Sequence, residues 1–91
     1  MQVNLIKNIT DFIVNEVKEK SIMNGFQYIV NYSNIAKEFN ILVDQYLLVA
    51  VVDMLEDREE VADIQLDGQG IDVVLYTDYA PNYDSELYRG Y

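Results

Sequence analysis

Cysteine and histidine are both missing from the chain, proline occurs once, and four lysines and two arginines stand against sixteen acids. Without cysteine there is neither a disulfide framework nor a thiolate metal site, which fits a reducing compartment such as the cytoplasm. Without histidine the common zinc sites and hydrolytic triads are excluded, and Ser21, Ser33 and Ser85 have no evident base. Carboxylate pairs are plentiful, yet nothing around them suggests a substrate pocket. The single proline and four glycines give no sign of a linker-like or low-complexity chain. Long hydrophobic runs are lacking too: the longest, Tyr46 to Val52, falls far short of the roughly 20 residues that span a bilayer. The N-terminal segment is amphipathic and has no continuous apolar core of the signal-peptide kind. The expectation is a soluble, cytoplasmic protein that is not an enzyme, uses no cofactor or metal and has no membrane partner.

What is present is a chain of 91 residues, 51% apolar, enough for one modest core and one domain. Its charge is lopsided. Residues 1–37 carry four lysines against Asp11, Glu16 and Glu19, whereas residues 38–91 carry thirteen acids against Arg58 and Arg89, and the net charge is −10. An asymmetry of this size marks either an interaction surface or a well-solvated acidic face.

Hydrophobic spacing organises the rest. Val3, Ile6, Ile9, Ile13 and Val17 recur every three or four positions and predict a first amphipathic helix. Asn24-Gly25 interrupts it, and Phe26 to Val30 is aromatic and β-branched, a short strand. Ser33 is placed to cap a second, brief helix ending near Asn40. Asp44 caps a third, with Val43 and Leu48 at the spacing of a hydrophobic staple, and this helix is expected over Gln45 to about Glu59. Ile64-Gln65-Leu66 and Ile71 to Leu75 then alternate with period two around Asp67-Gly68-Gln69-Gly70, a hairpin signal. The domain is therefore set at residues 1–78. Residues 79–91, with Pro81, Gly90 and no period, are read as an acidic, tyrosine-rich tail.

This order of elements resembles the winged helix-turn-helix domains, an α+β class with three helices and a C-terminal hairpin. "SNIAKEFNILVDQYLLVAVVDMLEDREEVADIQLDGQGIDVVLY", residues 33–76, looks like their second helix, turn, recognition helix and wing. The resemblance implies a third helix in the DNA major groove and a wing on the backbone. The residues depart from that use. DNA affinity rests on several cations meeting phosphates, and the third helix and hairpin hold one, Arg58. Tyr46, Val49 and Asp53 occupy exposed positions that would face base edges, and on this helix only the neighbouring Gln45 is suited to hydrogen-bond a base. Of the lysines, Lys20 is expected to pair with Glu16 at i,i+4.

Two features of the third helix break local rules. Tyr46 to Val52 is apolar all round, so the helix is either buried centrally between the first helix and the hairpin or offers a partner or self-association surface at Tyr46, Val49 and Ala50. At the C-terminal end, Glu56, Asp57, Glu59 and Glu60 crowd the pole of the helix dipole that disfavours anions by about 0.3–1 kcal/mol each. Asp53/Asp57 and Glu56/Glu60 are also expected as like-charged i,i+4 pairs costing about 0.2–0.5 kcal/mol each. With Asp63, Asp67 and Asp72 these acids form the candidate partner-binding face, the other reading being acidity that only helps solubility. An EF-hand-like count from Asp63 fails, because position twelve is Val74 where a glutamate is required. Toward the C-terminus Tyr76, Tyr79, Tyr83, Tyr88 and Tyr91 alternate with Asp78, Asp84 and Glu86, either as contact residues or as a frayed acidic end.

Small, strongly acidic proteins of this kind resemble, in size and charge, the nucleic-acid mimics that phages and mobile elements use against restriction, CRISPR or host DNA-handling enzymes. The function expected is stoichiometric binding of a basic, nucleic-acid-binding protein, without direct nucleic-acid binding. The alternative is a winged-helix transcriptional regulator that binds DNA as a dimer, weakly or with help, through Lys37 or Arg58; a homodimer through the third helix is a further partner expectation. A purely structural homo-oligomer, built through the apolar face of the third helix, is the third reading.

Overall fold

The apolar spacing of the first segment becomes an 18-residue helix, α1 (Val3–Lys20), in the computed structural model of the protein, which describes residues 3–20 and 27–76. Its inner face is Ile6, Ile9, Thr10, Ile13, Val14 and Val17, and the buried Thr10 hydroxyl is satisfied by donating to the Ile6 carbonyl at 2.8 Å. The expected break at Asn24-Gly25, the strand residue Phe26 and the tail at 79–91 lie outside the described residues.

Strand β1 (Gln27–Asn31) runs directly into α2 (Tyr32–Phe39). Helix α2 therefore begins one residue before Ser33, and Asn31 at its cap makes no side-chain bond. The Tyr32 backbone N–H, one of the first-turn donors that a helix leaves open, donates to the Gln69 carbonyl at 2.9 Å. The helix ends at Asn40 in the left-handed region (φ 52°, ψ 51°), a conformation that asparagine tolerates better than most residues. Helix α3 (Gln45–Glu56) opens as expected, with the Asp44 carboxylate accepting from the Leu47 N–H at 2.8 Å and with Val43 and Leu48 both half-buried against the core. It stops three residues before the expected Glu59. The buried stripe Leu47, Val51, Leu55 would continue at position 58 or 59, where Arg58 and Glu59 stand.

Strands β2 (Val61–Leu66) and β3 (Gly70–Leu75) form the expected hairpin, and β1 joins its far side to give a three-stranded antiparallel sheet in the order β1-β3-β2. Val30 faces Ile71 across one ladder and Ile64 faces Val73 across the other, with an irregularity between Val61 and Asp63. Gly70 is required by close approach: a Cβ there would collide with the Val30 carbonyl oxygen of β1.

The alternation of β1 and β3 sends Val30, Ile71, Val73 and Leu75 into the core with the helices, while Gln27, Ile29, Gln65 and Asp72 look the other way. Ile9, Ile13, Val14 and Val17 of α1, Ile35 of α2 and Val51 and Leu55 of α3 complete that core. Phe12 meets Phe39 edge-on, with centroids 5.6 Å apart, fastening α1 to α2. The result is an α+β fold of three helices packed with an antiparallel sheet, and no helix among the described residues is long and apolar enough to cross a membrane.

Candidate functional site

Helix α3 lies against α1 and β2, which cover Leu47, Val51 and Leu55 and half-cover Leu48, Val52 and Met54. One strip is left over. Tyr46 is 82% and Val49 54% exposed, and Ala50, half-buried, continues it toward Asp53 and Asp57. The helix is therefore neither central nor amphipathic in the ordinary way. It buries one face and shows apolar side chains on part of the other.

Where that strip meets the start of α1, a groove of about 370 Å³ opens between Val3, Ile6, Ala50 and Met54, with Asp53 and Asp57 among its lining residues. Val3 was expected on the buried face of α1, yet it is exposed and lines this groove, while Ile6, one turn on, is buried. The groove was not legible in the sequence. Its two walls are 40-odd residues apart along the chain, and only the packing of α1 on α3 brings them together.

The eight candidate acids are distributed unevenly. Asp53, Glu56 and Asp57 follow α3 to its C-terminal cap, and Glu59 is exposed in the turn beyond. Glu56 and Asp63 border one shallow depression of about 240 Å³ with Val61, Ala62 and Ile64. Asp72 sits on the outer face of the sheet, where both its oxygens accept from the Gln27 amide at 2.9 Å. Asp67 occupies the hairpin turn and accepts from the Gln69 N–H at 3.3 Å, the local bond that turn aspartates favour.

Glu60 has a different role. Because α3 ends at Glu56, Glu60 is not its i,i+4 neighbour on a helix; it stands just before β2, facing α1. There Arg58 grips it through two parallel bonds, Nε to Oε1 at 2.9 Å and Nη2 to Oε2 at 3.1 Å, while Arg58 Nη1 reaches Asp11 of α1 at 2.6 Å. Lys18 approaches Glu60 at 3.4 Å and Lys7 approaches Asp11 at 3.3 Å. The guanidinium beside it holds the Glu60 carboxyl down to about 2, and its bond to Asp11 lowers that carboxyl too. Arg58, the one cation of the expected DNA-binding element, is thus a clasp between the end of α3, β2 and α1.

The remaining cations are largely used in the same way. Lys20 pairs with Glu16 at 2.9 Å, as expected from the spacing. Among the described residues, Lys37 on α2 is the one cation without an ion pair, whereas Asp53, Glu56, Asp57, Glu59 and Asp63 have no cationic partner. The hairpin turn is committed as well: the Tyr32 hydroxyl donates to the Asp67 carbonyl at 2.7 Å, and β1 pairs with β3 as far as Gly70, so the turn is tied down beside α2. Among the described residues no three acidic side chains gather as a metal site. No protein-family model matches the chain, and no curated protein or solved structure matches it.

Proposed function

We propose that the protein is a small winged-helix-like module that acts by binding another protein, its acidic surface at the end of α3 and the start of β2 meeting a basic surface that otherwise holds nucleic acid. The winged-helix reading is supported by the order α1, β1, α2, α3, β2, β3 with the sheet order β1-β3-β2. The observation that carries the partner reading is the asymmetry of pairing. Four of the five described cations are spent on internal ion pairs, and of the described acids left without a cation, Asp53, Glu56, Asp57, Glu59 and Asp63 follow one another from the second half of α3 into β2, the others being spread over the rest of the fold. Occupation of a basic groove by these carboxylates is inhibition by stoichiometry, the mode of the phage-encoded nucleic-acid mimics, and it weakens as salt rises. A dimeric DNA-binding regulator would instead need Arg58 free for phosphate, and Arg58 is held by Asp11 and Glu60.

The test is affinity capture from cell lysate with the wild type and with a variant carrying Asp53→Lys, Glu56→Lys, Asp57→Lys and Glu59→Lys. Capture of a DNA-handling protein that is displaced by duplex DNA and by salt, and is lost in the variant, is the expected result. Capture indifferent to charge reversal, or a gel shift of duplex DNA by the wild type at ordinary ionic strength, overturns it.

A further inference from the structure

We infer that the groove between the start of α1 and the second half of α3 receives a basic amphipathic helix from the partner. This deepens the reading above and rests on it. Along α3, Tyr46, Val49, Ala50, Asp53 and Asp57 fall at helical spacings of three and four, so they make one stripe that is apolar at its start and anionic at its end. The groove of about 370 Å³ lies under the second half of that stripe, with Val3, Ile6 and Met54 completing its apolar wall. It sits at the small end of ligand pockets, which run from roughly 300 to 1,000 Å³, a size suited to side-chain anchors. Helix-in-groove recognition uses apolar anchors on one face of the incoming helix, spaced at three, four and seven residues. Asp53 and Asp57 are one turn apart, about 6 Å along the axis, so lysines or arginines one turn apart on an aligned helix meet both. Among the described residues the groove is lined by Asp53 and Asp57 and by no cation, so a second copy seated here would add its own two carboxylates, whereas a basic helix supplies the opposite charge.

A fluorescent leucine-lysine amphipathic helical peptide is titrated against the full chain by anisotropy, beside a leucine-glutamate peptide of the same pattern and a scrambled leucine-lysine peptide of the same composition. The lysine peptide of amphipathic pattern is expected to bind best, and Asp53→Lys with Asp57→Lys is expected to weaken it by about tenfold or more. Val49→Ser with Tyr46→Ser weakens it through the apolar half of the stripe. Glu19→Lys with Glu38→Lys, on α1 and α2 away from the acidic face, leaves it nearly unchanged; all pairs are at exposed positions, and circular dichroism checks each fold. If both charge-reversed pairs weaken binding equally, or the scrambled peptide binds as well, attraction is by diffuse charge: the groove assignment falls and the acidic-surface reading stands. If no basic peptide binds, both fall. If the chain dimerises in sedimentation runs and the dimer excludes the peptide, the occupant is a second copy and the inference is overturned.

Discussion

At the scale of single residues, Arg58 and Glu60 carry more than their positions in the sequence suggest. Replacing Arg58 by methionine keeps most of the apolar stem but leaves Asp11 and Glu60 without their shared donor, and should cost about 1–3 kcal/mol in urea denaturation. The pH dependence has a definite sign. Glu60 has an ordinary carboxyl value of 4.5 when the chain is unfolded and about 2 when folded, so its contribution is complete above 4.5 and is lost as pH falls toward 2. Asp11, lowered in the same direction, adds to that loss. The stability gap between wild type and Glu60→Gln should therefore be full at pH 7 and close below pH 4.5; a gap independent of pH would show that the pair contributes nothing. Asp44 was legible as a cap because its bond is local, whereas the Arg58 clasp joins residues 47 positions apart and only packing reveals it.

At the scale of elements, α3 carries the conflict between stability and function. Asp57 caps a helix with no basic residue in its last turn, at the pole where an anion is disfavoured. Asp57→Lys should raise stability by about 0.3–1 kcal/mol in thermal melts, even as it weakens binding of the basic peptide. A variant both less stable and weaker in binding would mean that the cap geometry, not the charge, matters there. The start of this helix was plain from Asp44, Val43 and Leu48. Its end was also marked, since the apolar stripe has no successor after Leu55, but acidic residues with fair helix propensity obscured the stop. For α2 the reasoning from Ser33 missed because β1 runs straight into the helix at Tyr32, whose N–H is held by the hairpin carbonyl of Gln69, a tertiary bond.

At the scale of the whole molecule, a net charge of −10 with most described cations already paired means that the uncompensated carboxylates repel one another across the surface. Raising ionic strength from about 0.01 to 0.15 M shortens the screening length from ~30 to ~8 Å, and the melting temperature is expected to rise. A fall would show that the ion-pair cluster around Arg58 outweighs the repulsion. The α+β architecture followed from periodicities and turn residues, but the joining of β1 to β3 did not, because antiparallel partners far apart in sequence leave no local mark. Gly70 is the exception, a small residue whose necessity becomes clear once the strands meet. Gly70→Ala should cost more than the usual surface change and loosen amide protection in β1 first, as followed by hydrogen exchange. The same position acts as an index notch. If β1 slid by one step along its neighbour, a glutamine or an isoleucine would have to enter a gap that admits only hydrogen, so the nascent strands have a single alignment in which they can zip shut.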